Sequence, residues 1–97
     1  MPHRDKVRSH EYQAAYQTAY RAAARMRVEA IKSVPCADCG GRFPPECMDF
    51  DHIRGKKLSS VSQMLWRSRA LIAEEIAKCE VVCANCHRTR SRKRRAG

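Results

Sequence analysis

Two Cys-x-x-Cys pairs, Cys36-Ala37-Asp38-Cys39 and Cys83-Ala84-Asn85-Cys86, constrain this chain more than any other feature. Each pair sets two thiolates at the bite that tetrahedral zinc needs, so the two together specify a four-thiolate site that draws distant parts of the chain to one point. Their separation is longer than in a compact zinc ribbon, and other elements must fill the gap. A chain of 97 residues is one domain, and it buries too small a fraction of its surface to be comfortably stable on apolar packing alone. A structural metal supplies what is missing, because zinc binding to thiolates contributes on the order of 10 kcal/mol or more as folding free energy. Six cysteines also admit three disulfides. The start, Met1-Pro2-His3-Arg4-Asp5-Lys6, lacks the apolar run of a secretory leader, so reduced thiols and a cytoplasmic location are expected. Cys47 and Cys79 are left over and are expected to be buried free thiols. No apolar run approaches membrane-spanning length, so a soluble chain with no membrane partner is expected.

Lys and Arg number 20 against 10 Asp and Glu, a formal net charge of +10 concentrated towards both ends. Such a balance predicts attraction to a polyanion, and nucleic acid is the first candidate partner.

Residues 10 to 33 read as one amphipathic helix, with Ser9 as cap, Glu11 in the first turn where the helix dipole favours an anion, and Pro35 as the stop. Tyr12, Tyr16 and Tyr20 fall four apart and share a stripe expected to dock on the rest of the domain. Arg21, Arg25 and Arg27 can face phosphates from the opposite side. After the first cysteine pair, Gly40-Gly41 and Pro44-Pro45 mark a loop, and Met48 to Ile53 alternates apolar and polar as a strand does. On that strand Asp49 and Asp51 share one face, Met48, Phe50 and His52 the other. Gly55-Lys56-Lys57 is a basic turn. A helix from Ser59 or Ser60 through Leu65, another through Leu71 to Lys78, a short strand Cys79 to Cys83 and a final basic helix from His87 complete the order. The domain plan is an N-terminal basic helix (1–34), a central domain (35–91) and a basic tail (92–97). The tail, Arg92-Lys93-Arg94-Arg95 onward, reads as a mobile electrostatic arm or as an uninvolved solubilising segment.

Asp51-His52 gains weight from its company. A carboxylate can ligate a hard divalent ion while the adjacent imidazole, pointing elsewhere, stays free to take a proton from water. His87 directly follows a cysteine ligand, so the structural site fixes it in space; it either serves a second, catalytic site or belongs to the zinc site.

At these residues the chain resembles the HNH endonucleases, the ββα-metal or His-Me finger nucleases, and especially the small zinc-containing ones of phages and their bacterial hosts. The resemblance covers roughly residues 35 to 91 and rests on Cys36-x-x-Cys39, Met48-Asp49-Phe50-Asp51-His52, Gly55-Lys56-Lys57, Glu75-Ile76-Ala77-Lys78-Cys79 and Cys83-Ala84-Asn85-Cys86-His87-Arg88. It implies an α+β fold: a small ββα-metal finger with a four-cysteine zinc site, a helical insertion between the strands and an N-terminal helix. It also implies His52 as general base, Asp51 and His87 as ligands of one catalytic divalent ion, and hydrolysis of DNA phosphodiesters to 5′-phosphate and 3′-hydroxyl ends. The only Asn, Asn85, either fills the family's middle Asn role or is a knuckle residue in a left-handed turn. Where some relatives carry a second His on the final helix this chain has Ser91. Fewer protein ligands leave room for water, which suits Mg²⁺ or Mn²⁺, with Zn²⁺ or Ni²⁺ as further alternatives. Lys56, Lys57, Arg88 and Arg90, with Arg92, Lys93, Arg94 and Arg95 of the tail, are expected to contact phosphates of DNA. The resemblance points to the host cytoplasm if the chain is phage-encoded. Competing expectations are a non-catalytic zinc module that binds nucleic acid, and an accessory protein of phage DNA packaging that works with a partner.

Overall fold

The computed structural model describes the backbone of residues 2–96 and the side chains of residues 10–96. Its elements are α1 (Pro2–Lys32), β1 (Met48–His52), α2 (Arg69–Ile76), β2 (Cys79–Cys83) and α3 (Ala84–Ala96), with 3-10 turns at Pro45–Cys47 and Val61–Gln63. The class is α+β, three helices around a two-stranded antiparallel sheet. Among the described residues, no helix is long and apolar enough to cross a membrane.

α1 begins at Pro2, so Ser9 lies inside the helix and is not its cap. Proline suits a first helical position, because its fixed φ fits the helix and its missing N–H has no intrahelical partner to lose. The other end falls where the sequence puts it: Lys32 is the last helical residue, Ser33 Oγ donates back to Glu29 O at 2.9 Å, and Pro35 stands just beyond. The row of residues four apart that begins with the tyrosines continues through Ala24 and Val28, and the row docks only in its later part. Ala24 and Val28 are buried against Val61, Met64 and Ile72, with Phe50, Leu65 and Ile76 packed around them. Tyr20 docks by donating its hydroxyl to Arg67 O at 2.6 Å, whereas Tyr12 and Tyr16 are 73% and 61% exposed. The stripe is longer than the body it packs on, so its first two members meet solvent.

β1 and β2 pair in the register Met48 with Cys83, Phe50 with Val81 and His52 with Cys79. Alternation along β1 sends Asp49 and Asp51 towards α3, and Phe50 and His52 towards the α1 and α2 side. At the Met48 end, Met48 and Val82 are fully buried with Cys36 and Cys83 in a second small core. The insertion is less helical than its sequence suggests. Ser60 makes no side-chain cap, and only the single turn Val61–Gln63 forms there. Ser68 is the effective cap, its hydroxyl accepting from Leu71 N at 3.2 Å to start α2. Cys47, expected to be buried, is exposed because it closes the Pro45–Cys47 turn before the sheet begins. Cys79 is half-buried, and burial together with nearby Glu75 pushes its thiol pKa up. α3 runs unbroken through residues 92–96, so the basic tail is a continuation of that helix and not a separate arm.

Candidate metal centre and candidate active site

Cys36, Cys39, Cys83 and Cys86 converge with their sulfurs all within 4.8 Å of one another, a cluster that could hold a metal ion. The first pair sits in a loop closed by Gly40 N to Cys36 O at 2.9 Å, and Gly40 takes φ 72°, a left-handed conformation that a side chain would strain. Ala37 N donates to Val81 O at 3.0 Å and ties this loop to β2. The second pair spans the junction at which β2 turns into α3. Cys36 Sγ accepts backbone N–H groups of Cys39 and Cys83 at 3.5 and 3.3 Å, and Cys83 Sγ accepts that of Cys86 at 3.4 Å. Burial pushes the Cys36 thiol up, but these N–H donors outweigh it and bring its pKa down from 9.0 to about 6. Cys86 moves the other way, to about 12, through its hydrogen bond to Cys83, its burial and the neighbouring sulfurs. A cation among the four would remove that conflict, since a metal ligand thiol is deprotonated outright.

The sheet carries a second cluster beside the first. His87, one residue after Cys86 on α3, has Nδ1 3.0 Å from Asp49 Oδ2 and Nε2 3.6 Å from Asp51 Oδ1. With Nδ1–H donated to Asp49, Nε2 presents a lone pair towards Asp51. Asp51 is 2% exposed and held by arginines: Arg94 donates to both its oxygens at 2.7 and 2.6 Å, and Arg90 to Oδ2 at 2.8 Å. The Arg94 hydrogen bonds lower its pKa, burial opposes them, and with Arg90 the net is a carboxyl at about 2. A carboxylate offers about four acceptor directions, two per oxygen. Oδ2 uses two on the arginines, while Oδ1 uses one on Arg94 and keeps one on the His87 side. The His87 Nε2 and the Asp51 Oδ1 thus face each other across 3.6 Å, with the Asp49 carboxylate behind the imidazole.

His52 lies on the other face of β1. Its Nε2 is 2.9 Å from Glu75 Oε2, and Glu75 is fully buried. Lys78 Nζ at 2.8 Å and Leu58 N at 3.0 Å also donate to Glu75, so its carboxyl stays ionised, held at about 2 by the Lys78 hydrogen bond against burial and then by Leu58 and His52. An ionised carboxylate can only accept. His52 therefore donates from Nε2, and its Nδ1 has no hydrogen-bond partner among the described residues. His52, His87 and Asp49 line one open cleft of about 270 Å³, together with Lys57, Lys32 and the loop residues Ser60 and Ser62.

The structure thus brings His52, His87 and Asp49 to a common cleft, with Asp51 buried behind His87. It gives Asn85 no such position. Asn85 is exposed in the first turn of α3, and no residue other than glycine adopts positive φ among the described residues, so the left-handed reading of Asn85 is overturned. A residue between Cys83 and Cys86 already lies in the helix, which begins at Ala84. Among the cations, Lys56, Lys57, Arg88, Arg92, Lys93 and Arg95 are exposed. Arg90 and Arg94 are not free for that role: Arg90 links Asp38 of the cysteine loop, Asp51 of β1 and Glu80 of β2, while Arg94 holds Asp51. Arg27 is half-buried beside Ile72 and Arg69, so it too differs from a solvent-facing phosphate contact. Sequence reasoning misses Glu75 as a site residue, although a charged side chain in the row Ile72, Glu75, Ile76 of an otherwise apolar helix stripe is a legible signal. It places Asp49 on the right face but gives it no role.

Removal of Arg92–Gly97 therefore has two expected effects. DNA binding on unrelated duplexes should weaken, with the slope of log K on log salt falling by up to about 0.9 for each phosphate that is no longer neutralised. The melting temperature should also fall, because Arg94 leaves with the segment. Arg94→Gln alone should lower the melting temperature and leave most of the salt slope, a separation measured by thermal melts beside binding isotherms in a salt series.

Comparison of the chain with protein-family models, with curated proteins and with solved structures gave no match.

Proposed function

We propose that this chain is a zinc-stapled, metal-dependent DNA endonuclease of the HNH type. The observation that carries the reading is the cleft in which a histidine with a carboxylate-locked tautomer, His52, meets a second histidine, His87, that is backed by Asp49 and faces Asp51. The four-cysteine cluster is read as a structural zinc site, because four thiolates around one ion close a tetrahedron with Zn–S near about 2.3 Å and leave no open position for substrate. Catalysis then falls to the neighbouring cleft.

In this reading His87 and Asp51 would hold a Mg²⁺ or Mn²⁺ ion, which would supply positive charge against the negative charge that develops on the phosphoryl oxygens and on the leaving 3′-oxygen. Asp49 accepts the Nδ1 proton of His87 and keeps the opposite nitrogen available. His52 takes a proton from water at Nδ1 as the water oxygen attacks phosphorus. Glu75 steadies the charged imidazolium that results. The P–O3′ bond breaks, the 3′-oxygen takes up a proton from solvent, His52 returns its proton to solvent, and the products are a 5′-phosphate and a 3′-hydroxyl. Lys57 lines the same cleft and can hold a phosphate of the bound strand.

A non-catalytic nucleic-acid-binding module is the second reading, and the pair of hydrogen bonds from Arg94 to Asp51 favours it, since that pairing gives Asp51 a purely structural use. Plasmid cleavage by the purified zinc-loaded chain, with and without added Mg²⁺ or Mn²⁺, separates the two. Cleavage that depends on the added ion is expected; none with any divalent ion leaves the binding module. His87→Ala is the cleaner ligand probe, because Asp51→Ala also strips two arginines of their partner. We expect His87→Ala to slow cleavage and raise the ion concentration that gives half-maximal rate, while zinc content stays at one per chain.

A further inference from the structure

Neither proposed site uses the tyrosine row of α1 or the sole tryptophan, Trp66. Trp66 is 57% exposed in the turn before α2, an unusual position for the largest apolar side chain in the protein. It is nonetheless fixed: its Nε1–H donates to Gln63 O at 3.1 Å, and the Arg67 guanidinium lies 4.4 Å from its ring centroid. Tyr20 is fixed by its bond to Arg67 O, and Tyr16 stacks beside it with ring centroids 6.4 Å apart. These groups line a cleft of about 310 Å³ formed by Tyr16, Gln17, Tyr20, Arg21 and Trp66. Every lining side chain ends in a planar π group, and none is aliphatic or acidic. The two flanking cations, Arg21 and Arg67, favour an anionic occupant over a neutral aliphatic segment. A flat heterocycle attached to a negative chain fits, through stacking on the rings and attraction to Arg21 and Arg67. Tyr12, a further turn along the same row and 73% exposed, extends the platform by about 6 Å.

We propose that Trp66, Tyr16 and Tyr20 form a stacking site for unpaired bases of single-stranded nucleic acid. The proposal rests on the nucleic-acid-binding part of the reading above and narrows its substrate class to strands with unpaired segments. It is independent of whether the chain cleaves. Stacking against an aromatic ring tolerates any base, so the site adds affinity for single strands without reading sequence.

The test uses the zinc-loaded full chain with no added activating ion, so that binding is measured apart from cleavage. A dye-labelled oligothymidylate and a dye-labelled duplex of equal phosphate number are each titrated by fluorescence anisotropy, which reads every variant, and in the wild-type chain the emission of the sole tryptophan is followed as well. Quenching by the single strand is expected. Trp66→Ala should weaken single-strand binding about 5-fold to 150-fold, the range for loss of one stacked base, and leave duplex binding nearly unchanged. Trp66→Phe should recover most of the loss. If Trp66→Ala fails to fold by circular dichroism, Tyr16→Ala, at a side chain 61% exposed, makes the same test. Equal losses on both ligands, or no loss on the single strand, overturn the stacking site and leave the nucleic-acid reading standing. Failure of the wild-type chain to bind either ligand sinks the nucleic-acid reading as well. An emission change that instead tracks protein concentration would assign this surface to a second copy of the chain and overturn the proposal.

Discussion

His52→Ala should cut the rate of ion-dependent plasmid cleavage by about 10²-fold to 10⁴-fold, the usual contribution of a positioned general base. Zinc content and duplex affinity should stay near wild type, because in the proposed mechanism His52 handles a proton, and its side chain bonds Glu75 and not the cysteine cluster. The measurement pairs a nicking time course with zinc analysis and a gel shift on the same preparations. Glu75→Gln gives a companion result. The amide can still accept from Nε2–H, yet it cannot offset the charge of the imidazolium, so a smaller loss in rate than for His52→Ala is expected, together with reduced stability as the Lys78 ion pair disappears. Activity within a few-fold of wild type in His52→Ala would remove this residue from the mechanism, whatever the fate of the Glu75 variant.

Cys36→Ser should unfold the domain. Cys36 is 3% exposed, lies in the small core with Met48 and Val82, and accepts two backbone N–H groups, so its loss removes a member of the candidate metal cluster and a packing element at once. The magnitudes fix the direction. Structural zinc contributes roughly 10–16 kcal/mol in small zinc domains, against a typical net stability of about 5–15 kcal/mol for a whole domain. Two small buried clusters cannot replace that contribution. Circular dichroism melts of Cys36→Ser, and of the wild-type chain treated with a strong chelator, should both lose the cooperative transition. A variant that melts like wild type and retains one zinc would mean that the ligand set is different. Cys47→Ser, at an exposed position outside the cluster, is the matched control and should change neither melt nor zinc content.

Much of this architecture is legible in the sequence because it depends on local rules. The spacing within each cysteine pair sets the bite of two thiolates wherever the pair lies. Period-two alternation in Met48 to His52 separates the aspartate face from the histidine face, and Pro35 bounds α1. These features are properties of neighbouring residues along the chain, and the fold retains them. Local signals mislead where one competes with another. Ser9 has the chemistry of a cap, but helix-compatible residues continue back to Pro2; Ser60 has it too, but Ser68 makes the cap bond that begins α2.

By itself the sequence determined the composition of the sites: four thiols in two pairs, one histidine beside an aspartate, another beside a cysteine, and a surplus of positive charge. Only the tertiary structure decided which of these groups compete for one another. Asp51 could be assigned to a metal from its neighbour His52, yet Arg90 and Arg94, some forty residues away in sequence, occupy three of its acceptor directions. Glu75 reads as one helical acid among several, yet folding buries it and points it at His52, which fixes the tautomer a general base would need. The tyrosine row looks like a packing face, yet the body of the domain reaches only to Tyr20. The physical reason is common to all three: a side chain's local spacing sets which face it takes, whereas its charge state and partners depend on what the rest of the chain brings against that face.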